Sequence, residues 1–213
     1  MTNAINSGRI ASGLAACAMI ACATASQAQS APERGVFVTQ IGDAPRANIT
    51  QRNADSLALI VQDGAANQLD LEQEGAAPHR AQIVQDGDDN SVTARQDGEG
   101  STDLALAQEG GGNTALVVQN ENAALAQTSA AIIQRGNGNS ITLVQDGSDN
   151  QAQLTQEGNS NVMTASQLDS GNRLEWNQIG DGLSDLQIVQ TGGAALQITQ
   201  SNAGAAFAPP PGG

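Results

Sequence analysis

The chain has 213 residues and a formal net charge of −14 at pH 7, with eight Arg, no Lys and 22 acidic residues. Without a basic patch it has nothing with which to neutralise phosphates, which excludes nucleic-acid binding and gives no attraction to an anionic membrane surface. Aromatic residues make up 1% (Phe37, Trp176 and Phe207, with no Tyr), so a core of packed rings is excluded; the single His, His79, rules out Ser-His, Cys-His and zinc chemistry in a chain whose two Cys fall in its first 22 residues.

In chain order, the first element is an Ala-rich apolar run from Ile10 to about Ala25, preceded by Arg9 and followed by Ser26-Gln27-Ala28. It reads as a secretory signal peptide over residues 1–28, cut after Ala28. The run is too short and too poor in large apolar residues for membrane insertion. Cys17 and Cys22 lie inside it, so the mature chain would carry neither thiol nor disulfide. A second reading stays open: Leu14-Ala15-Ala16-Cys17 has the form of a bacterial lipoprotein cleavage box, although the apolar run continues past Cys17. Residues 29–35 read as a linker.

From residue 36 to 202 one pattern repeats. Gln recurs at 40, 51, 62, 73, 85, 96, 108, 119, 134, 145, 156, 167, 178, 190 and 200, in steps of ten to twelve residues except one of 15. That step, Gln119 to Gln134, marks an insertion near 120–129. The residues two and four before each Gln are apolar in all fifteen units, from Val38 and Val36 through Trp176 and Leu174 to Ile188 and Leu186 and Ile198 and Leu196. Period two is a strand with one face inward, and Trp176 reads as plain core. Two residues after Gln stands Gly at 42, 64, 75, 87, 98, 110, 136, 147, 158, 180 and 192; Asn53, Asp169 and Asn202 also tolerate a positive φ, and Glu121 beside the insertion is the exception. A strand and a tight turn make one arc, and two arcs make a coil of about 22 residues. The expected fold is all-β: a β-solenoid of stacked strand-turn-strand coils, two strands per coil, of the amyloid-polymer type.

Asn67, Asn90, Asn113, Asn139, Asn150, Asn161 and Asn172 lie six residues before a Gln and share its inward face by parity. An unpaired buried carboxamide costs roughly 1–3 kcal/mol, so these side chains are expected to stack coil over coil at about 4.8 Å and bond up and down in ladders. Ladder bonds form only between coils, and no stretch has the look of an end cap. The terminal coils therefore expose open strand edges, and the molecule is expected to gain stability by stacking on its own copies. The residue after each Gln is charged or strongly polar in the middle (Asp63, Glu74, Asp86, Asp97, Glu109, Asn120, Arg135, Asp146, Glu157) and often Ile41, Leu168, Ile179, Thr191 or Ser201 near the ends. Two readings stand: stacked acids delay assembly, or they keep the chain soluble during export.

The pattern x5-Gln-x-Gly-x-x-Asn-x5-Gln resembles the curlin repeat, and in phase and coverage the stretch Val36–Gln200 is similar to the curli fibre subunits of Gram-negative bacteria. That resemblance implies export through the periplasm and an outer-membrane secretion channel, polymerisation on a related curlin nucleator or major subunit, and extracellular cell-surface amyloid fibres that serve adhesion and biofilm matrix. The family's ladder residues would map onto the Gln and Asn columns above. This chain departs in its greater number of repeats, its lack of Tyr and its tail Ala203–Gly213, Pro- and Gly-rich and expected to be disordered.

No cofactor is expected, nor an enzyme: a carboxylate-only site needs long loops off the coils, and the turns are short. Asp86–Asn90 and Asp146–Asn150 lack the Gly and Glu positions of an EF-hand loop and read as acidic turns, with no metal site. The alternative function is a non-polymerising β-solenoid, a surface adhesin or ligand-binding protein. Ice binding is a poor fit, because outward Thr at 50, 93, 114, 142, 155, 164 and 199 is interrupted by Asp, Glu, Arg and Val.

Overall fold

A computed structural model describes residues 34–202. The expected signal peptide (1–28), residues 29–33 of the linker and the tail 203–213 lie outside them. The described chain is all-β and contains no helix. The odd strands are β1 (Gly35–Ile41), β3 (Leu57–Asp63), β5 (His79–Asp86), β7 (Ser101–Glu109), β9 (Gln127–Arg135), β11 (Gln151–Glu157), β13 (Arg173–Ile179) and β15 (Ala195–Ser201). The even strands are β2 (Arg46–Gln51), β4 (Gln68–Gln73), β6 (Ser91–Gly98), β8 (Thr114–Glu121), β10 (Ser140–Ser148), β12 (Val162–Ser170) and β14 (Ile188–Gln190). β1 begins at Gly35, one residue inside the expected linker.

Odd strands pair in parallel into one eight-stranded sheet, and even strands into a seven-stranded sheet. Each odd–even pair is one coil of a β-solenoid, about seven coils in all. Every pairing sets Gln on Gln. The offset between stacked Gln residues is 22 residues at Gln40–Gln62, 23 at Gln62–Gln85 and 26 at Gln108–Gln134. Coil length thus varies while the register of Gln on Gln does not, because the extra residues go into turns, except at 184–187, where one goes into the strand. The 26-residue coil carries the insertion as residues 122–126, between β8 and β9.

The alternation in sequence becomes two faces. Ile60, Leu71, Ile83, Leu104, Ile132, Leu143, Leu154, Met163 and Trp176 form a continuous buried core between the sheets. Two groups of residues expected to face inward are not buried. Val36, Val38 and Leu196 are about 40% exposed because they lie in the outermost strands, where no described coil covers them. Leu186 is 48% exposed for another reason: residues 184–187 leave the strand conformation, with Gln187 at φ +50°.

The turn glycines meet a constraint beyond their dihedral angles. At Gly87 the backbone has φ +117°, and a Cβ there would lie 2.1 Å from the carbonyl oxygen of Gly110 in the next coil. Parallel in-register stacking brings the turns so close that a side chain has no room. Of the four residues that replace Gly at this turn position, Asp169 is left-handed (φ +67°), and Asn53, Glu121 and Asn202 are not. Gly112, by contrast, has φ +65° and open space around its missing Cβ. Gly87→Ala should therefore lower the stability of the monomer by about 3 kcal/mol or more, and Gly112→Ala by about 1 kcal/mol; urea unfolding of the two variants checks the difference.

Candidate functional site

The most constrained chemistry in the molecule is its two columns of carboxamides. In the eight-stranded sheet Gln40, Gln62, Gln85, Gln108, Gln134, Gln156, Gln178 and Gln200 stack, and each Nε2 donates to the Oε1 of the next, at 2.6–3.0 Å. In the seven-stranded sheet Gln51, Gln73, Gln96, Gln119, Gln145, Gln167 and Gln190 do the same at 2.7–3.2 Å. All thirteen bonds point the same way, from the N-terminal coil towards the C-terminal one. The column is therefore polar: one end presents carboxamide oxygen and the other N–H.

From Gln62 to Gln190 the second N–H of each column Gln has a task that side-chain periodicity does not disclose. It donates across the solenoid to a backbone carbonyl near the start of the preceding strand, in the opposite sheet. Gln62 reaches Arg46 O (3.2 Å), Gln96 reaches Arg80 O (2.9 Å), Gln134 reaches Thr114 O (3.0 Å) and Gln178 reaches Val162 O (2.9 Å). One side chain thus ties its coil to the next and its own sheet to the facing one.

The Asn residues work differently from the expected carboxamide stack. Asn67, Asn90, Asn113, Asn139 and Asn161 form a column at the entry to the even strands, and Asn150 and Asn172 form one at the entry to the odd strands. Each Oδ1 accepts a backbone N–H from the equivalent residue one coil on, as Asn67 does from Asn90 N (3.0 Å) and Asn150 from Asn172 N (3.1 Å). Each Nδ2 of the first column donates to the carbonyl of a turn glycine in the following coil, as Asn90 does to Gly110 O (2.8 Å) and Asn139 to Gly158 O (2.8 Å). Direct carboxamide bonds occur as well, from Asn113 to Asn90 and from Asn172 to Asn150, both 3.0 Å. The physical reason is reach. Asn has one methylene fewer than Gln, and at the strand entry the nearest unpaired groups are those of the turn backbone.

The glycines beside them stack as two turn columns. Gly42, Gly64, Gly87, Gly110, Gly136, Gly158 and Gly180 form one; Gly75, Gly98 and Gly147 belong to the other, with Glu121 between Gly98 and Gly147. Gly192 lies in the turn after β14 at φ +67°.

Sequence reading passed over several residues that the columns include. Ser56, His79, Thr102 and Thr128 occupy the place of Asn six before a Gln in the first odd strands, and all are buried. Their signal was present in the spacing, but not in the residue type. His79 Nδ1 lies 3.0 Å from Thr102 Oγ1, its Nε2 is bonded to Glu74 O, and its backbone N donates to Ser56 Oγ (2.9 Å). Burial lowers its pKa from the usual 6.5, against the opposing pull of the Glu74 carbonyl bond and the Asp97 charge. Glu121, the turn exception, is also fully buried. Its carboxylate accepts from Ala123 N (3.0 Å), Thr128 Oγ1 (2.9 Å) and Asp149 N (2.9 Å), and so fastens the inserted residues to two coils.

Outside, the charged columns are partly self-neutralised. Arg135 lies between Glu109 (3.3 Å) and Glu157 (3.1 Å), and Arg95 between Glu72, Glu74 and Asp97. Asp63 and Asp86 stack in register, and no ion pair reaches either among the described residues. Among the described residues no group of three His, Cys, Asp or Glu is placed to hold a metal ion.

Two outcomes follow from the column geometry. Gln119→Leu strands a donor on Gln96, an acceptor on Gln145 and the carbonyl of Asp103, and should cost about 3 kcal/mol or more, whereas Gln40→Leu at the column end should cost about 1 kcal/mol; denaturant titration of both variants measures the gap. For His79 the folded pKa lies below the unfolded one, so the unfolded chain binds its proton first. Its contribution is present above pH 6.5 and is lost as pH falls from there towards the folded pKa. The stability advantage of the parent over His79→Asn should shrink between about pH 7 and pH 5; a constant difference would contradict the burial of a neutral imidazole.

Residues 128–158 match the family model of the curlin associated repeat. No curated protein and no solved structure matches the chain. The matched segment runs through β9, β10 and β11 and contains Gln134, Gln145 and Gln156 with Asn139 and Asn150, two neighbouring rungs in one column and one in the other. The same bonds recur in register on either side of it. The chain therefore carries a curlin associated repeat, set within a β-solenoid whose successive coils repeat that segment's geometry.

Proposed function

We propose that the protein is a curlin-like structural subunit that is secreted and assembles into extracellular amyloid fibres, which serve adhesion and biofilm matrix. The observation that carries this reading is the state of the column ends. Among the described residues nothing donates to Gln40 Oε1, and Gln200 Nε2 uses one N–H on Ser184 O (3.1 Å) and retains the other. Among the described residues β1 and β2 at one end, and β14 and β15 at the other, have no strand partner on their outer sides. Fifteen strands end in the odd sheet, so the next strand falls in the even one; a second copy turned by half a coil would set Gln40 on Gln190, in exchange for the 3.2 Å bond of Gln190 to Ala194 O, and Gln51 on Gln200, continuing both polar columns without reversal. The joint is head to tail, which does not close and therefore grows into a filament. Edge-on strand addition of this kind is how amyloid extends.

Copies of the chain are the first partner in this reading. A related curlin nucleator or major subunit and an outer-membrane secretion channel are the others, with the site of action at the cell surface after passage through the periplasm. The ladder residues then serve twice, holding coils within a subunit and subunits within a fibre. Asp63 and Asp86, stacked without a counter-ion, are the acids that oppose assembly, since each added copy brings further carboxylates into line.

Thioflavin fluorescence on residues 29–213 tests the reading. A lag that preformed seeds abolish, followed by fibres diffracting near 4.7 and 10 Å, is the expected result; a strand-rich monomer that persists for days overturns it in favour of a non-polymerising adhesin. At constant ionic strength the lag should shorten as pH is lowered from about 8 to about 4, where carboxylates lose charge.

A further inference from the structure

The strand alternation breaks at one place, just before the C-terminal end. Gln178 and Gln190 are twelve residues apart, as are Gln73 and Gln85 and also Gln96 and Gln108. In those two earlier coils the added residue sits in the turn, and β5 and β7 run eight and nine residues. In the last coil it falls inside the strand. Leu183 N still occupies the Asn place, donating to Asn161 Oδ1 at 2.9 Å. Pairing with β12 resumes at Ile188, opposite Ala165. Between these points residues 184–187 stand against Val162, Met163 and Thr164, four against three, which is the count of a β-bulge.

The bulge is braced. Asp185 Oδ1 accepts from Thr164 N and from Gln187 N, both at 2.9 Å. A side chain thus satisfies an amide that a strand carbonyl satisfies in the other coils. Gln187 is left-handed at φ +50°, and Leu186 points outward. The two ends of the solenoid consequently differ as templates. The N-terminal end presents β1 and β2, seven and six residues long; the C-terminal end presents β15 with seven and β14 with three.

We infer that this bulge makes the joint between copies incomplete by construction: pairing of β15 with the whole of β2 in one sheet, but pairing of β14 with β1 over three residues in the other. The inference rests on the head-to-tail reading above. The occupant is a second copy, because only its first coil continues both Gln columns in direction and register. Gly35, Val36 and Phe37 of that copy meet the bulge instead of a strand edge, while Val38, Thr39 and Gln40 meet Ile188, Val189 and Gln190. The plane between β12 and β14 is paired over the same three residues but is braced by Asp185 and closed within one chain; the remaining planes are paired along both sheets, so the joint is the weakest plane that separates one chain from the next. Fibres break there, and the concentration needed for growth is set there. Blunting an edge with a bulge is a recognised way to restrain strand addition.

Deletion of Ser184 restores eleven residues between Gln178 and Gln190 and returns Leu186 to the inward parity. Gln187→Gly relieves the left-handed backbone and keeps the bulge. The readout is the soluble concentration that remains when residues 29–213 have finished assembling. The deletion is expected to lower it at least about tenfold, through the added backbone bonds at each joint, and Gln187→Gly to leave it within about twofold. An unchanged or higher value in a deletion variant whose β14 amides from Asp185 onward are protected from hydrogen exchange overturns the inference. A deletion variant that does not extend β14 shifts the test to parent fibres. There Gly35–Phe37 amides should exchange faster than those of Val38–Gln40, and uniform protection across β1 overturns the inference. A parent chain that never assembles overturns the head-to-tail reading itself; fibres with uniform joints overturn this inference alone.

Discussion

A carboxamide has two acceptor lone pairs and two N–H groups, and in a dry interior each one left unpaired costs free energy. In this solenoid the interior strip of every strand ends on a Gln, and the partners that can satisfy it are fixed in place: the Gln one coil before, the Gln one coil after, and one carbonyl of the opposite sheet. That requirement holds the rest together. It fixes register, because a strand slipped by one residue would bury a donor against Val or Ala. It permits varied coil length, because only the meeting of Gln with Gln must be conserved along the axis, and the turns can take up one or four extra residues. The core between the sheets is built from aliphatic side chains with Trp176 among them, fully buried, its Nε1–H donating to Gln200 Oε1 at 2.9 Å while Gln178 in the same strand keeps its bond to Val162 O.

Much of this was legible in the chain. Parity around Gln gave the strands, the two-strand coil and the insertion, because the apolar–polar alternation and the spacing of turn residues are local signals that survive translation into structure. What stayed hidden depends on groups that sequence does not display. The cross-sheet bond from each Gln, and the reach of Asn to the turn carbonyls, involve backbone atoms, which are the same at every position. Ser56 and Thr128 fill Asn's place because a hydroxyl at the right height can also take the next coil's N–H, and His79 and Thr102 fill it with a bond between their side chains; a search by residue type overlooks all four. Leu186 shows the opposite failure. Its parity predicted the inward face, and one extra residue, accommodated in the strand and not in the turn, rotated it outward.

The turns reveal why this architecture spends glycine so freely. Stacked turns approach until a carbonyl of one lies where the Cβ of another would be. The same closeness places Asn side chains within reach of those carbonyls. Tight turns, Asn bonds and Gln columns are therefore one device seen at three places around the coil, and a change at any of them alters the spacing on which the others depend. The polarity of the columns carries this logic past the single molecule. A stack whose bonds all point one way has two different ends, and each end is what the other lacks.

Hydrogen exchange of the Gln side-chain amides, followed by NMR in the monomer and again in the assembled state, addresses this account most directly. In the monomer the interior Gln residues, Gln119 and Gln134 among them, should be strongly protected, and Gln40 and Gln200 should exchange quickly. On assembly Gln40 and Gln200 should become protected to the level of the interior positions. Rapid exchange of Gln119 in the monomer, or of Gln40 and Gln200 in the assembled state, would contradict the claim that one continuous carboxamide column holds both coils and copies together.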